Sequence, residues 1–192
     1  MIKVFYDVET TGLEPDKCSI IQLAGYLEKD GEIVNEFDYK LRPHERAVIS
    51  PDALAVNGVT LEEVMEYPPM EEAFKSFRAM MSLHIDRYDK THKAWLVGFN
   101  NRKFDDPFLR NLFSLCGDKY FGSWFWSDSL DVMVLASQYL LERRHTMPSF
   151  KLSRVATELG IVFDEEELHD ALGDARITRE VYRIVTGLEL EI

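Results

Sequence analysis

The amino-acid sequence predicts an α/β fold in which helices flank a mixed five-stranded sheet. Strand-like segments follow one another in the first third of the chain, and helical and strand-like segments alternate in the rest. The 192 residues, 46% of them hydrophobic, suffice for one domain with a substantial core. Since the sequence shows no internal repeat or evident linker, residues 1–192 are predicted to form a single domain.

Three strands account for the beginning of the chain. β-Branched and aromatic residues make 2–8 (IKVFYDV) typical of a strand. The segments 20–28 and 32–42 have the same character, and the residues between them, KDG at 29–31, suit a hairpin turn. The three strands are therefore expected to form an antiparallel meander.

Helices and strands alternate in the remainder. Ser50 before Pro51 is typical of a helix start, and Asp106 before Pro107 indicates another, with Asp106 as the N-cap. Helical spacing of apolar residues, capping residues or a closing glycine predict the later helices, at 69–88, 106–116, 129–141, 150–161 and 169–185. Short apolar or aromatic segments predict two further strands, at 94–99 and 124–129.

Composition excludes several classes of protein. The net charge of −12 repels phosphate and disfavours a protein that coats nucleic acid non-specifically, although an enzyme with divalent cations in its site escapes that constraint. Two cysteines, Cys18 and Cys116, are too few for a disulfide scaffold or a four-thiolate zinc site. No apolar run approaches the ~20 residues that span a bilayer, and the N-terminus lacks the pattern of a signal peptide. We predict a cytoplasmic protein without a membrane partner.

Acidic residues stand at the end of the first strand. Residues two apart on a strand face the same side, so Asp7 and Glu9 point together with Cα atoms roughly 6–7 Å apart. Like charges this close are costly unless a cation lies between them. Two acids at a solvated strand end are the ordinary alternative for this pair alone. Gly12 follows two threonines at a turn and leaves room for a ligand near the backbone.

Two later segments carry further candidates. Asp105 has no capping role of its own and is either a solvated loop acid or a ligand. Asp170 is expected to cap the last helix, which leaves His169 in the preceding loop and Asp174 in the second turn. On one ideal helix, His169 and Asp174 would lie about 140° apart, so a loop position for the histidine is what allows both to reach one site.

These residue types suit the hydrolysis of a phosphodiester. Two metal ions roughly 3.5–4 Å apart activate the attacking water and stabilise the leaving oxygen in an in-line displacement. Mg²⁺ and Mn²⁺ favour carboxylate oxygens as ligands. A histidine can take the proton of the water near neutral pH.

The three segments together resemble the motifs of the DEDDh exonucleases, also called the DnaQ-like family. DxETTGL at 7–13, NxxFDxxFL at 101–109 and HxAxxDA at 169–175 carry the resemblance, which extends over nearly the whole chain. It is nearest to the proofreading subunit of bacterial replicative polymerases and to stand-alone bacterial or phage exonucleases. The resemblance implies a ribonuclease-H-like fold and release of nucleoside monophosphates in the 3′-to-5′ direction.

The resemblance also implies roles for individual residues. It makes His169 the general base, and Glu9 is assigned to catalysis as well as to metal binding. The implied metal ligands are Asp7, Glu9, Asp105 and Asp174. The implied substrate-binding residues are Thr10, Thr11, Gly12, Leu13, Asn100, Asn101 and Phe104. Asn100 stands where the family often has a histidine.

The sequence therefore predicts an exonuclease that uses two divalent ions, Mg²⁺ or Mn²⁺, and acts on the 3′ end of single-stranded DNA. A 3′–5′ exoribonuclease, similar to RNase T or oligoribonuclease, is the second hypothesis. The third is a proofreading or accessory subunit bound to a polymerase or another protein. The chain ends soon after its last helix, which favours a free-standing enzyme over the third hypothesis.

Overall fold

The computed structural model describes residues 1–164 and 168–188 and has a mixed five-stranded sheet of strand order β3-β2-β1-β4-β5. The strands are β1 Ile2–Thr10, β2 Ile20–Lys29, β3 Glu32–Lys40, β4 Ala94–Gly98 and β5 Leu130–Asp131. β1, β2 and β3 pair antiparallel, and β4 pairs parallel with both β1 and β5. The predicted meander and the mixed sheet are confirmed.

Helices cover the sheet. Those in the described residues are α1 Pro51–Val56, α2 Leu61–Glu66, α3 Met70–Ser82, α4 Asp105–Leu115, α5 Val132–Tyr139, α6 Leu152–Glu158 and α7 Ala171–Val185. The sequence analysis missed α2, although Thr60 and Glu63 form the reciprocal capping box that marks its start. None of the helices in residues 1–164 and 168–188 is long and apolar enough to cross a membrane.

Two predicted elements differ from the structure. The helix predicted at 69–88 ends at Ser82, because Ile85 turns into the core and His84 pairs with Asn35 instead of continuing the helix. The strand predicted at 124–129 is wrong. Trp124 and Phe125 fill the core, only Phe125 forms a bridge to β4, and the strand itself comes later, at 130–131.

Alternation along β1 decides which layer receives the acidic residues. Val4, Tyr6 and Val8 point into one core cluster, and Phe5 points into the other, where it packs edge-on against Tyr182 of α7. Because side chains alternate along a strand, Asp7 and Glu9 continue the face of Phe5. They therefore lie on the side of the sheet that α7 covers.

Candidate metal centre

Three carboxylates from two distant segments meet at the end of β1. Asp7 and Glu9 come from β1, just before an irregularity in its pairing with β2, and Asp174 comes from α7. One carboxylate oxygen of each lies within 4.8 Å of the others, a spacing at which all three can bind one cation. The sequence-predicted set is thus brought together for these three members.

Asp105 approaches the same place from α4. Its side chain is buried, with 3% of the residue exposed, and Oδ1 accepts a hydrogen bond from the backbone N–H of Val8 at 3.2 Å. Val8 lies between Asp7 and Glu9 on β1, so this bond fixes the start of α4 against the acidic end of the strand. Asp105 is not part of the three-oxygen group, but its charge acts on both Asp7 and Glu9.

Burial and mutual repulsion make the carboxylates hard to ionise. Burial, followed by the charges of Asp105 and Asp174, raises the pKa of Asp7 well above its usual range. Burial is also the largest cause that raises the pKa of Glu9 to about 8, of Asp105 to about 7 and of Asp174 to about 6. Moreover, Asp174 Oδ1 is buried without a hydrogen-bond partner among the described residues. A divalent cation would compensate both costs, so the residues fit a metal site.

The loop before α7 places His169 beside Asp174. Asp170 caps α7 as predicted, with Oδ2 accepting from the N–H of Gly173 at 3.3 Å, but Asp174 lies in the first turn and not the second. His169 is exposed, has a left-handed backbone with φ of 64°, and its N–H bonds to the Asp174 carboxylate. A left-handed residue with a side chain costs free energy, and such residues concentrate at functional sites.

Asp106 is not an N-cap, which corrects the sequence analysis. The helix begins one residue earlier, and no side chain caps it. Asp106 is buried and accepts hydrogen bonds from Tyr6 Oη at 2.5 Å, Ser129 Oγ at 2.5 Å and Asn101 Nδ2 at 3.2 Å. Three internal donors satisfy this carboxylate better than one backbone N–H at a helix end would.

The segment Thr10–Leu13 forms a braced turn. The Thr10 hydroxyl donates to Gly12 O at 2.7 Å, and the Thr11 hydroxyl donates to Val48 O at 2.7 Å while accepting from the N–H of Ser19. A Cβ on Gly12 would lie 2.7 Å from Cys18 Sγ, so a larger residue would force the Cys18 side chain or the turn to shift. Leu13 is 82% exposed and is the side chain of this segment that a substrate can reach.

In the second segment predicted to bind substrate, some groups are occupied by hydrogen bonds within the fold. Asn100 has a φ of 63° and donates its N–H to Asp131 Oδ1 at 3.0 Å. Asn101 is fully buried, with its amide directed to Asp106. Phe104 is partly exposed and packs on Phe108, with ring centroids 5.1 Å apart. Of the three, Asn100 and Phe104 are thus accessible in the structure.

A cavity of about 290 Å³ adjoins Glu9 and His169. The sequence analysis missed its polar wall, which consists of Gln22, Lys40, Asn57 and Asp170; its apolar wall contains Ile21, Val56, Val59, Tyr67 and Leu168. Register alone could have indicated part of it, because Glu9 pairs with Gln22 and Gln22 with Lys40 across the antiparallel strands. A cavity with one cation, amide groups and apolar side chains next to the carboxylates suits a nucleotide.

Several known proteins are similar to this chain in sequence. A model of the family RNase_T, described as Exonuclease, matches residues 4–182. The PolC-type DNA polymerase III of Thermotoga petrophila is 29% identical over 179 residues, which are 93% of this chain and 11% of that protein. Exodeoxyribonuclease I of Escherichia coli is 28% identical over 95% of this chain and 39% of that protein. Ribonuclease T of Shewanella baltica is 29% identical over 93% of this chain and 78% of that protein.

Solved structures share the fold. The zinc-bound exonuclease I of Escherichia coli in complex with single-stranded DNA has a TM-score of 0.78 at 20% identity, over 98% of this chain and 41% of that one. The same enzyme with a dT13 oligonucleotide gives 0.74 at 22% identity, over 96% and 41%. The ribonuclease-H-like fold is confirmed. Since the family model extends from the first strand to the last helix, the chain belongs to the exonuclease family that its three motifs predict.

Proposed function

We propose that the protein is a metal-dependent exonuclease that removes nucleoside monophosphates from the 3′ end of single-stranded DNA. The observation that carries the proposal is the convergence of the Asp7, Glu9 and Asp174 carboxylates. Asp105 is held beside them by its hydrogen bond to the backbone of Val8. Asp105 is buried and the other three acids are partly buried, and they repel one another, which costs free energy unless a cation compensates. The chain spans 11% of the PolC-type relative, so activity, substrate and partners are argued here from the site.

Asp7, Glu9, Asp105 and Asp174 would hold two divalent ions, Mg²⁺ or Mn²⁺. When bound, such ions activate the attacking water and stabilise the leaving 3′ oxygen. The charges of Asp105, Asp174 and Glu9 all act on Asp7, so these four carboxylates are close enough to share the ions. Glu9 lies at the mouth of the cavity and would also orient the attacking water.

His169 would act as the general base. His169 is exposed on a loop, its backbone N–H bonds to the Asp174 carboxylate, and the charge of its side chain also lowers the pKa of Asp174. The imidazole therefore lies near enough to the carboxylates that it would accept the proton of a water beside them.

The cavity would receive the terminal nucleotide. Lys40 lines the cavity and supplies a positive charge near Glu9, and Leu13, Asn100 and Phe104 are accessible side chains that would contact the strand outside it. The side chains of Thr10, Thr11 and Asn101 serve the fold, so these residues and Gly12 would act on the substrate through their backbone groups and the shape of their segments. With a net charge of −12, the body of the protein offers little attraction to a longer strand, so binding is confined to the last few nucleotides.

Single-stranded DNA is the first candidate substrate and RNA the second. The structural neighbours include complexes of exonuclease I with single-stranded DNA, whereas ribonuclease T of Shewanella baltica is a relative of which this chain covers 78%. Discrimination rests on contacts to one 2′-hydroxyl. Similarity to PolC-type polymerases supports a polymerase as a possible protein partner. A single domain over residues 1–192 and a cytoplasmic location stay predictions.

A time course on 5′-labelled single strands tests the proposal. Matched DNA and RNA oligomers are incubated with Mg²⁺ or Mn²⁺, with and without EDTA. We expect a ladder that shortens from the 3′ end, faster for DNA, and no digestion in EDTA or by the Asp7→Asn variant. Internal cuts, or digestion that persists in EDTA, would refute it. Absence of digestion together with stable co-purification of a partner would favour the accessory subunit.

A further inference from the structure

We propose that Gln22 is a positioning residue that holds the start of α7, and with it Asp174 and His169, in register with Glu9. This inference rests on the proposed function and names a residue outside the motifs that predicted the site. Gln22 is 3% exposed on β2 and pairs directly with Glu9 of β1 in the antiparallel register.

The amide of Gln22 joins the sheet to the last helix. Its Nε2 donates to Asp38 Oδ1 on β3 at 2.9 Å and to Asp170 Oδ1 at the start of α7, also at 2.9 Å. Asp38 and Asp170 are 132 positions apart in the sequence, and one NH₂ group bridges them. The segment that carries His169 and Asp174 is thereby tied to the strand beside Glu9.

Asp170 transmits this position to the metal centre. Its second carboxylate oxygen caps Gly173, and its carbonyl accepts the N–H of Asp174 at 2.9 Å. A displacement of Asp170 would therefore move the backbone of Asp174 directly. Residues that orient metal ligands from behind typically alter metal affinity by about 10–100-fold when they are replaced.

An amide is the group that this position requires. Its two N–H bonds serve one carboxylate each, whereas glutamate offers carboxylate oxygens and a hydrocarbon offers no donor at all. Without the bridge, Asp38 and Asp170 would face each other as two like charges and would separate. The separation would carry α7 away from Glu9, so the metal ligands would lose their common geometry.

The near-isosteric variant Gln22→Met tests the inference. We expect the Mn²⁺ concentration for half-maximal binding, measured by calorimetry, to rise about 10–100-fold. We also expect a large fall in kcat and a smaller change in the KM for the DNA strand. Met81→Ala is the control, since this buried residue of α3 belongs to the other core cluster and should lower the melting temperature without altering Mn²⁺ binding. A Gln22→Met protein that is only less stable, with unchanged Mn²⁺ binding and kcat, would overturn the proposal.

A second variant covers the case in which Gln22→Met does not fold. Gln22→Asn keeps the amide but shortens the side chain by one methylene, so it cannot donate to both carboxylates at their present positions. Weaker Mn²⁺ binding supports the proposal, and unchanged binding overturns it. Calorimetry measures Mn²⁺ binding without turnover. A wild-type protein that binds Mn²⁺ but digests no strand would refute the proposed function, and the Mn²⁺ titrations of the variants would still decide the role of Gln22.

Discussion

The backbone N–H of Val8 donates a hydrogen bond to Asp105 Oδ1 at 3.2 Å, across 97 positions of the sequence. This bond links the strand that carries Asp7 and Glu9 to the helix α4. The adjacent residue, Asp106, accepts hydrogen bonds from other groups, namely the Tyr6 and Ser129 hydroxyls and the Asn101 amide. Two neighbouring aspartates thus have different tasks, one at the metal centre and one in the support behind it.

Replacing these two aspartates by asparagine should separate the tasks. Asp105→Asn removes a charge from the metal centre, so we expect Mn²⁺ affinity to fall by at least the ~10–100-fold typical of losing a supporting group. Asp106→Asn replaces one of the two acceptor oxygens by an NH₂ group, so the three donors around it are no longer all satisfied. We therefore expect the variant to lower the free energy of unfolding by about 1–3 kcal/mol. Calorimetric Mn²⁺ titration and urea denaturation of both variants check this. Equal effects of the two variants on Mn²⁺ affinity would contradict the separation.

The general-base role of His169 predicts a loss of rate without a loss of metal. We expect His169→Ala to lower the single-turnover rate by ~10²–10⁴. Mn²⁺ affinity should stay close to that of the wild type, because the backbone N–H that bonds to Asp174 persists in the variant. Single-turnover digestion of a 5′-labelled strand, beside a Mn²⁺ titration, measures both quantities. A fully active His169→Ala enzyme would remove the histidine from the mechanism.

Raised pKa values predict an unusual dependence of stability on pH. Burial raises the pKa of Glu9 to about 8 and of Asp105 to about 7, so the metal-free folded protein holds protons that the unfolded chain has released. The folded state binds more protons in this range, so the free energy of unfolding contributed by these groups falls as pH rises from about 4 to about 9. Divalent cations should oppose the decline, because metal binding releases those protons.

Melting temperatures in EDTA and in excess Mn²⁺, over this pH range, measure that dependence. Glu9→Gln serves as the control, since its amide does not titrate and the EDTA curve of the variant should fall less steeply. A difference in melting temperature between wild type and Glu9→Gln that is the same at every pH would show that the Glu9 carboxyl does not retain its proton in the folded protein.

Local patterns predicted the parts of the fold and site that depend on local geometry. Spacing of two on a strand placed Asp7 and Glu9 on one face, and a capping aspartate before an apolar helix placed His169 in a loop. The meander followed from a turn between two strands of the right composition. In each case the relevant neighbours lie within a few residues in the sequence, so the pattern contains the information.

Other features depend on residues that are far apart in the sequence and meet only in the folded structure. Asp106 looked like a cap because its neighbour is a proline, yet its donors Tyr6 and Ser129 lie 100 and 23 positions away. Register could have placed Gln22 beside Glu9, but not its bond to Asp170, which lies 148 positions away in the sequence. The aromatic segment at 124–129 has the composition of a strand, and only the packing of Trp124 and Phe125 shows that it fills the core.

Gly12 offers a test of whether the predicted substrate turn serves the ligand or the fold. A Cβ at this position would lie 2.7 Å from Cys18 Sγ, so we expect Gly12→Ala to lower the free energy of unfolding by about 1–3 kcal/mol through overpacking. Cys18→Ala removes the sulfur, and the double variant should recover part of that loss. Urea denaturation of the wild type, both single variants and the double variant gives the coupling, which we expect within about 0.5–3 kcal/mol. Additive effects would show that the sulfur is not what excludes a side chain.

An unchanged stability of Gly12→Ala with a raised KM for DNA would instead indicate that the glycine makes room for the strand, as its motif implies.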